Sequence, residues 1–182
     1  MHEMTASNLR SAFGGESQAY MRYQNYSEKA LRDGLPNISR LFQAISRAEQ
    51  VHASNHFRTH GDIFGPFLVP SMAGFGLGET VRNLGIAIEG ETYEILEMYP
   101  AFRQIADFQK EKKALRSFTY AWEAEKTHAQ FFKRAKASAE KGQDLPLRAV
   151  QVCIVCGYTA EGTAPDKCPI CEVGPDKFLA FE

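Results

Sequence analysis

The sequence predicts an all-α four-helix bundle followed by a small cysteine-rich domain, and three observations carry that reading. Apolar residues recur at helical spacing over four long stretches separated by breaks rich in Gly and Pro. Two Glu-x-x-His pairs, Glu49/His52 and Glu125/His128, are each preceded at nearly the same distance by a lone glutamate, Glu16 and Glu91. All four cysteines lie near the C-terminal end, in two Cys-x-x-Cys units.

Leu9, Phe13, Ala19 or Tyr20, Tyr23, Ala30 and Leu31 define the first helix, which Asp33-Gly34-Leu35-Pro36 ends near Arg32. The second is expected from about Asn37 to His60, with Ile38, Leu41, Phe42, Ile45 and Ala48 turned inward and Gly61 as its stop. Phe64 to Gly78 is too long for a tight turn and too apolar for a floppy linker, so it reads as a crossover between two helix pairs. A third helix begins near Thr80, carries Val81, Leu84, Ala87, Ile88 and Ile95, and is kinked or broken around Pro100. The fourth covers about Lys112 to Lys141. Composition then shifts through Gly142-Gln143-Asp144-Leu145-Pro146, which places the domain boundary between a bundle of residues 1–145 and a tail of residues 146–182.

The 182 residues suffice for one medium domain with a small appendage, and 44% hydrophobic residues suffice for a core. With 21 basic against 22 acidic residues, nothing calls for nucleic acid or an anionic membrane surface. No stretch approaches the roughly 20 apolar residues of a membrane span, and Met1-His2-Glu3-Met4 opens no basic-then-apolar leader, so a cytoplasmic address is expected.

Residues three apart on a helix sit about 60° apart around the axis and roughly 4.5 Å along it, so one helix can offer an oxygen and a nitrogen to one centre. Two such helices, with two more that each offer a glutamate, enclose a carboxylate-bridged pair of metal ions. A single Glu-x-x-His would read as ordinary surface; the order Glu16, Glu49/His52, Glu91, Glu125/His128 reads as one helix pair used twice. In the tail, Cys153-Ile154-Val155-Cys156-Gly157 and Cys168-Pro169-Ile170-Cys171 make a tetrahedral thiolate site, and about thirty residues need a metal to fold. Two disulfides are the alternative, but every cysteine falls in a ligand pair and nothing indicates secretion. Spacing leaves zinc and iron both open.

Together these features resemble the rubrerythrin family across essentially the whole chain. The segments that carry the resemblance are Gly15-Glu16-Ser17-Gln18-Ala19, Ala48-Glu49-Gln50-Val51-His52, Gly90-Glu91-Thr92-Tyr93-Glu94 continuing to Pro100, Glu123-Ala124-Glu125-Lys126-Thr127-His128, and the two cysteine knuckles. The resemblance implies a ferritin-like bundle holding a non-haem diiron centre and a rubredoxin-like domain holding a mononuclear Fe(Cys)4 iron, with zinc possible in recombinant material. It implies that Glu49 and Glu125 bridge the irons, that Glu16 is a terminal ligand of one and that Glu91 and His128 hold the other. It further implies that Glu94, which has no counterpart in the first helix pair, exchanges with His52 on redox change. Glu94 would bind the oxidised state and His52 the reduced one.

Neighbouring groups need weighing against these. Glu89, Glu97 and Glu123 point off the ligand faces, and Glu28 and Glu111 read as surface charge. His56 and His60 continue the Glu49/His52 stripe, but roughly 10 and 16 Å farther along the axis than Glu49, which assigns them to the helix face or core. His2 is expected to be disordered. Tyr20, Tyr23 and Tyr99 could donate hydrogen bonds to ligand carboxylates; core packing is the simpler reading, and Tyr23 and Tyr99 match family positions best. Trp122, Phe131 and Phe132 read as bundle core. Gly74, Gly76 and Gly78 lack the Lys-Ser/Thr and the preceding strand of a phosphate loop.

The activity implied is peroxidase: hydrogen peroxide reduced to water, in protection against oxidative stress. No dinucleotide fingerprint is present, so electrons would come from an external NAD(P)H-dependent reductase or a rubredoxin-type donor. The alternative from another class is a ferroxidase or iron-handling protein, and a redox-silent scaffold with zinc in the tail is a third. An oxygen-activating hydroxylase is conceivable, but no organic-substrate pocket is identifiable. The helix alone runs roughly 20 Å from His128 to its end at Lys141; a folded-back tail could recover that distance, but another subunit's tail could dock closer, and the family forms head-to-tail dimers, so at least a homodimer is expected.

Overall fold

The computed structural model describes residues 1–182. Its helices are α1 (Glu3–Arg32), α2 (Pro36–His60), α3 (Thr80–Tyr93), α4 (Tyr99–Phe108) and α5 (Lys112–Ala139), with a π-helical turn (Glu94–Met98) joining α3 to α4. The third bundle helix is thus α3, the π turn and α4 in succession, interrupted where Pro100 predicts it. Proline has no N–H and its ring collides with the carbonyl four residues back, so the preceding turn widens. There the Tyr99 N–H reaches the Glu94 carbonyl, five residues back, and Trp122 Nε1 donates to the Ile95 carbonyl at 2.9 Å. No helix is long and apolar enough to cross a membrane.

The fourth helix ends at Ala139, two residues before the expected Lys141. Gly142, at φ +69°, turns the chain, and the Gly142 and Gln143 N–H groups close back onto the Ala139 and Ser138 carbonyls. Beyond it, β1 (Val150–Cys153), β2 (Thr159–Glu161) and β3 (Phe178–Phe181) form an antiparallel sheet in the order β2-β1-β3. Val150 pairs with both Glu161 and Phe181, and Val152 with Thr159 and Leu179.

The core is built on an aromatic cluster of Tyr23, Tyr26, Phe42 and Phe132, with ring centroids 5.1 to 6.3 Å apart, set among alanines that let the helices approach. Leu145, Val150 and Val152 are buried in this same cluster. The shift in composition at residues 142–146 is therefore no gap in the packing. Asp144 secures the junction: its carboxylate accepts from the Asn37 and Ile38 N–H groups at 2.7 and 3.1 Å and so caps α2 from outside the helix. From there the tail runs back along α2 and α5 toward the middle of the bundle.

Residues 61–79 form the crossover, an extended strap lying along α1. Ser11, Gln18, Arg22 and Tyr26 donate in turn to the carbonyls of Pro70, Ser71, Gly74 and Gly76. The strap fits closely: a Cβ on Gly14 would stand 2.8 Å from Val69 Cγ1. Its apolar content is not spent on the core, since Phe64, Leu68, Met72 and Phe75 are each at least 89% exposed.

Candidate metal centres

Glu16 comes from α1, Glu49 and His52 from α2, Glu91 from α3, and Glu125 and His128 from α5, and each is at most 1% exposed. Their ligand atoms form two overlapping groups, Glu16/Glu49/His52/Glu125 and Glu49/Glu91/Glu125/His128, within which every atom lies within 4.8 Å of the others. His52 Nδ1 is 2.8 Å from Glu125 and 3.1 Å from Glu49, while His128 Nδ1 is 2.6 Å from Glu125, 3.2 Å from Glu49 and 3.7 Å from Glu91. The two imidazoles stack 5.7 Å apart.

The electrostatics test whether cations belong here. Burial, then the charges of Glu49 and Glu125, holds Glu16 well above the ordinary carboxylate range, and burial, then Glu125 and Glu49, does the same to Glu91. Burial pushes Glu125 up as well, but His52 and His128 outweigh it and hold the group down. Glu49 is lowered too: burial and Glu125 push it up, and hydrogen bonds from His128 and His52 prevail. Burial depresses both imidazoles, yet Glu125 above all raises His52 and His128 well beyond their usual value. Without metal, then, the cluster survives by sharing protons between acids and imidazoles. Glu16 Oε2, Glu49 Oε1, Glu91 Oε2 and Glu125 Oε1 still lack a well-formed hydrogen bond; the last three lie 3.2, 3.7 and 2.8 Å from an imidazole nitrogen, within ion-pair distance. Four orphaned carboxylate oxygens converging on one buried volume fit a pair of hard divalent cations that would displace those protons.

Glu94 opens the π turn and belongs to neither group. It is half-buried by surface area, yet burial of its carboxyl and the charges of Glu16 and Glu125 raise it well above the ordinary range, so it faces the cluster from just outside. Tyr23 donates to Glu91 Oε1 at 2.6 Å and Tyr99 to Glu16 Oε1. Core packing is thus an incomplete account of these two tyrosines, whereas Tyr20 makes no such bond. His56 is fully buried and bonds to Tyr99 and Ser117; His60 accepts from Arg10. His2, expected to be disordered, is bound to Glu111 through its backbone and ring. Phe131 and Phe132 are core, and Trp122 packs partly buried at the edge of a second cluster, with Arg103 and Lys126 over its ring.

The four cysteine sulfurs form a third group. Cys153 and Cys171 sulfurs lie 3.6 Å apart and Cys156 and Cys168 sulfurs 3.5 Å apart, far beyond a disulfide bond of about 2.05 Å and close to the edge of roughly 3.8 Å that a tetrahedron with 2.3 Å metal–sulfur bonds requires. The Val155 and Cys156 N–H groups point at the Cys153 sulfur, that of Tyr158 at Cys156 and that of Val173 at Cys171. The hydrogen bond from Cys156, with those amides, holds Cys153 down to about 5, and the same contact with burial pushes Cys156 up; burial raises Cys171 to about 12. One thiol of the four already favours the thiolate, the form that binds metal.

Of the two ways the tail could regain the metals, folding back or docking from another subunit, the single chain takes the first. His52 Nε2 lies 3.1 Å from the Cys156 carbonyl and His128 Nε2 3.3 Å from the Gly157 carbonyl, within one chain. Asn55 donates to the Val155 carbonyl and Thr127 meets Thr159 beside them. Each imidazole therefore turns Nδ1 to the carboxylates and an Nε2–H to the first cysteine knuckle, which leaves Nδ1 as the metal-binding nitrogen. Gly157, at φ +84°, permits this: a Cβ there would lie 2.1 Å from His52 Nε2. Sequence reasoning overlooked Gly157, Ser117 and Asn55; only Gly157 left a signal, as the glycine closing a Cys-x-x-Cys unit.

Comparison with known proteins covers both centres. The rubrerythrin family model matches residues 7–136, and the model of the rubredoxin-like domain of rubrerythrin matches residues 151–179. Rubrerythrin-2 of Clostridium acetobutylicum is 46% identical over 178 residues, covering 98% of this chain and 97% of that protein. Nigerythrin of Nitratidesulfovibrio vulgaris is 32% identical, covering 97% and 86%. The solved structure of fully reduced, all-ferrous nigerythrin aligns with a TM-score of 0.85 at 32% identity, over 97% of this chain and 86% of that one. Symerythrin of Cyanophora paradoxa, reduced with dithionite, aligns with a TM-score of 0.66 at 25% identity, over 77% and 87%.

Proposed function

This chain belongs to the rubrerythrin family, and we propose that it is a non-haem diiron peroxidase that reduces hydrogen peroxide to water with electrons relayed through its four-cysteine iron. The family carries a diiron carboxylate/histidine site and a rubredoxin-like site, and the clusters described above fit both. Bound there, the iron pair supplies two electrons at once to cleave the O–O bond, and the thiolate iron returns electrons singly.

Glu49 and Glu125 belong to both ligand groups, which supports their assignment as bridging ligands; Glu16 with His52 would hold one ion and Glu91 with His128 the other. His52 lies inside its group while Glu94 waits outside, the arrangement assigned to the reduced state. The widened turn at Glu94 supports an exchange of the two on oxidation. Tyr23 and Tyr99 hold the outer oxygens of Glu91 and Glu16 and so fix how those carboxylates present themselves. The domains are assigned as residues 1–145 and 146–182.

One observation carries the relay: the two imidazoles of the bundle site donate to adjacent carbonyls of the first cysteine knuckle. A storage or ferroxidase bundle has no use for that contact. The electron donor is proposed to be a separate NAD(P)H-dependent reductase or a rubredoxin-type protein. The chain is proposed to be at least a homodimer. Support for that now comes from the exposed apolar strap rather than from the reach of the tail.

Anaerobic stopped-flow spectroscopy of the iron-loaded, fully reduced protein mixed with hydrogen peroxide tests the proposal. Fast reoxidation of both iron centres, lost in Glu49→Ala, is expected. Slow reaction with peroxide alongside fast oxidation of added ferrous iron would instead identify an iron-handling protein, and a colourless, zinc-filled tail would eliminate the relay.

A further inference from the structure

His56 is the one fully buried imidazole outside both ligand groups, and metal binding gives it no task. Both its nitrogens are engaged: Ser117 Oγ lies 2.9 Å from Nδ1 and the Tyr99 hydroxyl 3.0 Å from Nε2, and Tyr99 in turn donates to Glu16. The direction of this chain is set from its inner end. As a metal ligand Glu16 is ionised and only accepts, so the Tyr99 hydrogen points to it. The Tyr99 oxygen then accepts from His56, whose hydrogen sits on Nε2. Burial above all holds His56 far below its usual value, so the ring is neutral and Nδ1 is bare to accept from Ser117. Three donors in series thus point inward, from a serine at the bundle wall, 6% exposed, to a ligand of the metal site.

We propose that Ser117, His56 and Tyr99 form a proton relay to the Glu16 side of the metal site, in which Ser117 and His56 act through the Tyr99 hydroxyl by passing it a hydrogen. The inference rests on the peroxidase reading. Reducing one hydrogen peroxide to two waters breaks the O–O bond, consumes two electrons from the reduced protein and makes two O–H bonds from two protons. Those protons have to cross a wall in which all six clustered ligands are at most 1% exposed. In one passage the Ser117 hydrogen moves to Nδ1, the Nε2 hydrogen to the Tyr99 oxygen and the Tyr99 hydrogen to Glu16 Oε1, from which it would go to an oxygen of the peroxide; two passages supply both protons. Ser117 is resupplied from solvent, and the links then turn back. The His56 ring also walls a cleft of about 290 Å³ beneath the strap, beside Phe57 and Phe67, so truncating it to alanine would open the position toward that cleft.

The test mixes the full-length, iron-loaded, reduced protein with hydrogen peroxide in light and in heavy water. Reoxidation of the bundle irons in His56→Ala is expected to slow by about 100-fold, the lower end of what positioned proton transfer contributes, with an enlarged solvent isotope effect. Added imidazole should recover most of the rate in His56→Ala, whereas His56→Gln, which keeps a donor and an acceptor but cannot pass a proton from one to the other, should stay slow. Direct oxidation of the thiolate iron by a one-electron oxidant needs no proton and should be unchanged. Wild-type rates with an unchanged isotope effect in either variant, or slowing in His56→Ala that imidazole does not relieve, overturn the relay alone. A wild-type protein slow toward peroxide overturns the peroxidase reading and the delivery role with it. A readout independent of turnover is the nitrogen NMR of the zinc-loaded chain: His56 should carry its hydrogen on Nε2, and Ser117→Ala should mix the tautomers. Finding the wild-type hydrogen on Nδ1 overturns the relay whatever the peroxide rate.

Discussion

Gly157 does two things that no other residue type can: it takes a left-handed backbone and it leaves room for an imidazole at a distance where a Cβ would overlap it. In Gly157→Ala the knuckle has to lift off His52. The loss of stability should be about 1–3 kcal/mol, as for an overpacked core position, and reoxidation of the thiolate iron by peroxide should slow more than that of the bundle irons. Two-wavelength stopped-flow separates the two, and equal slowing would count against the contact as the electron path. Tyr23→Phe keeps the ring among Phe42 and Phe132 but strips a donor from the buried Glu91. Because carboxylates held by such partners are what presents a ligand to a metal, affinity for the second iron should fall by about 10- to 100-fold, as read by competition with a chelator. The ligands themselves were legible in the sequence because a three-residue offset on a helix is fixed by local geometry. The tyrosines were ambiguous, since whether a phenol meets a carboxylate depends on a neighbouring helix that its own spacing does not describe.

At the level of elements, Asp144 and the π turn decide how the pieces meet. Asp144 satisfies two N–H groups that the first turn of α2 cannot pair internally. Asp144→Ala should cost about 0.5–2 kcal/mol, as loss of a helix cap does. It should also loosen the return of the tail, so that chemical denaturation reports a lower midpoint and amide exchange rises first at residues 142–149. A helix that lost stability with no change in exchange there would show the cap to be local. Pro100 announced a break in the third helix, but its form, a widened turn placing Glu94 at the rim of the cluster, depends on Trp122 being across from Ile95 to take the freed carbonyl. The crossover was recognised by length and composition. Neither says which way its apolar residues point, and in the single chain Phe64, Leu68, Met72 and Phe75 face solvent.

For the whole molecule, that exposed strap makes a prediction about assembly. Phe64, Leu68, Met72 and Phe75, all on the strap, are each at least 89% exposed, so the protein should have at least a dimer's mass by light scattering, and Phe75→Asp should lower it. A monomer at all concentrations in the wild type would refute this. The sequence by itself determined the helices to within a few residues, the break near Pro100, the acids and histidines that meet in the buried clusters and the four clustered cysteines, because each is a matter of periodicity, of a missing N–H or of short-range spacing along one element. Tertiary structure alone decided that the tail returns to its own bundle, that Cys156 and Gly157 meet His52 and His128, and that Ser117 and His56 line up behind Tyr99. Those contacts join residues 29 to 104 positions apart, and their existence depends on the direction the chain takes after Gly142 and on the packing of Leu145, Val150 and Val152 against α2, which no local pattern encodes.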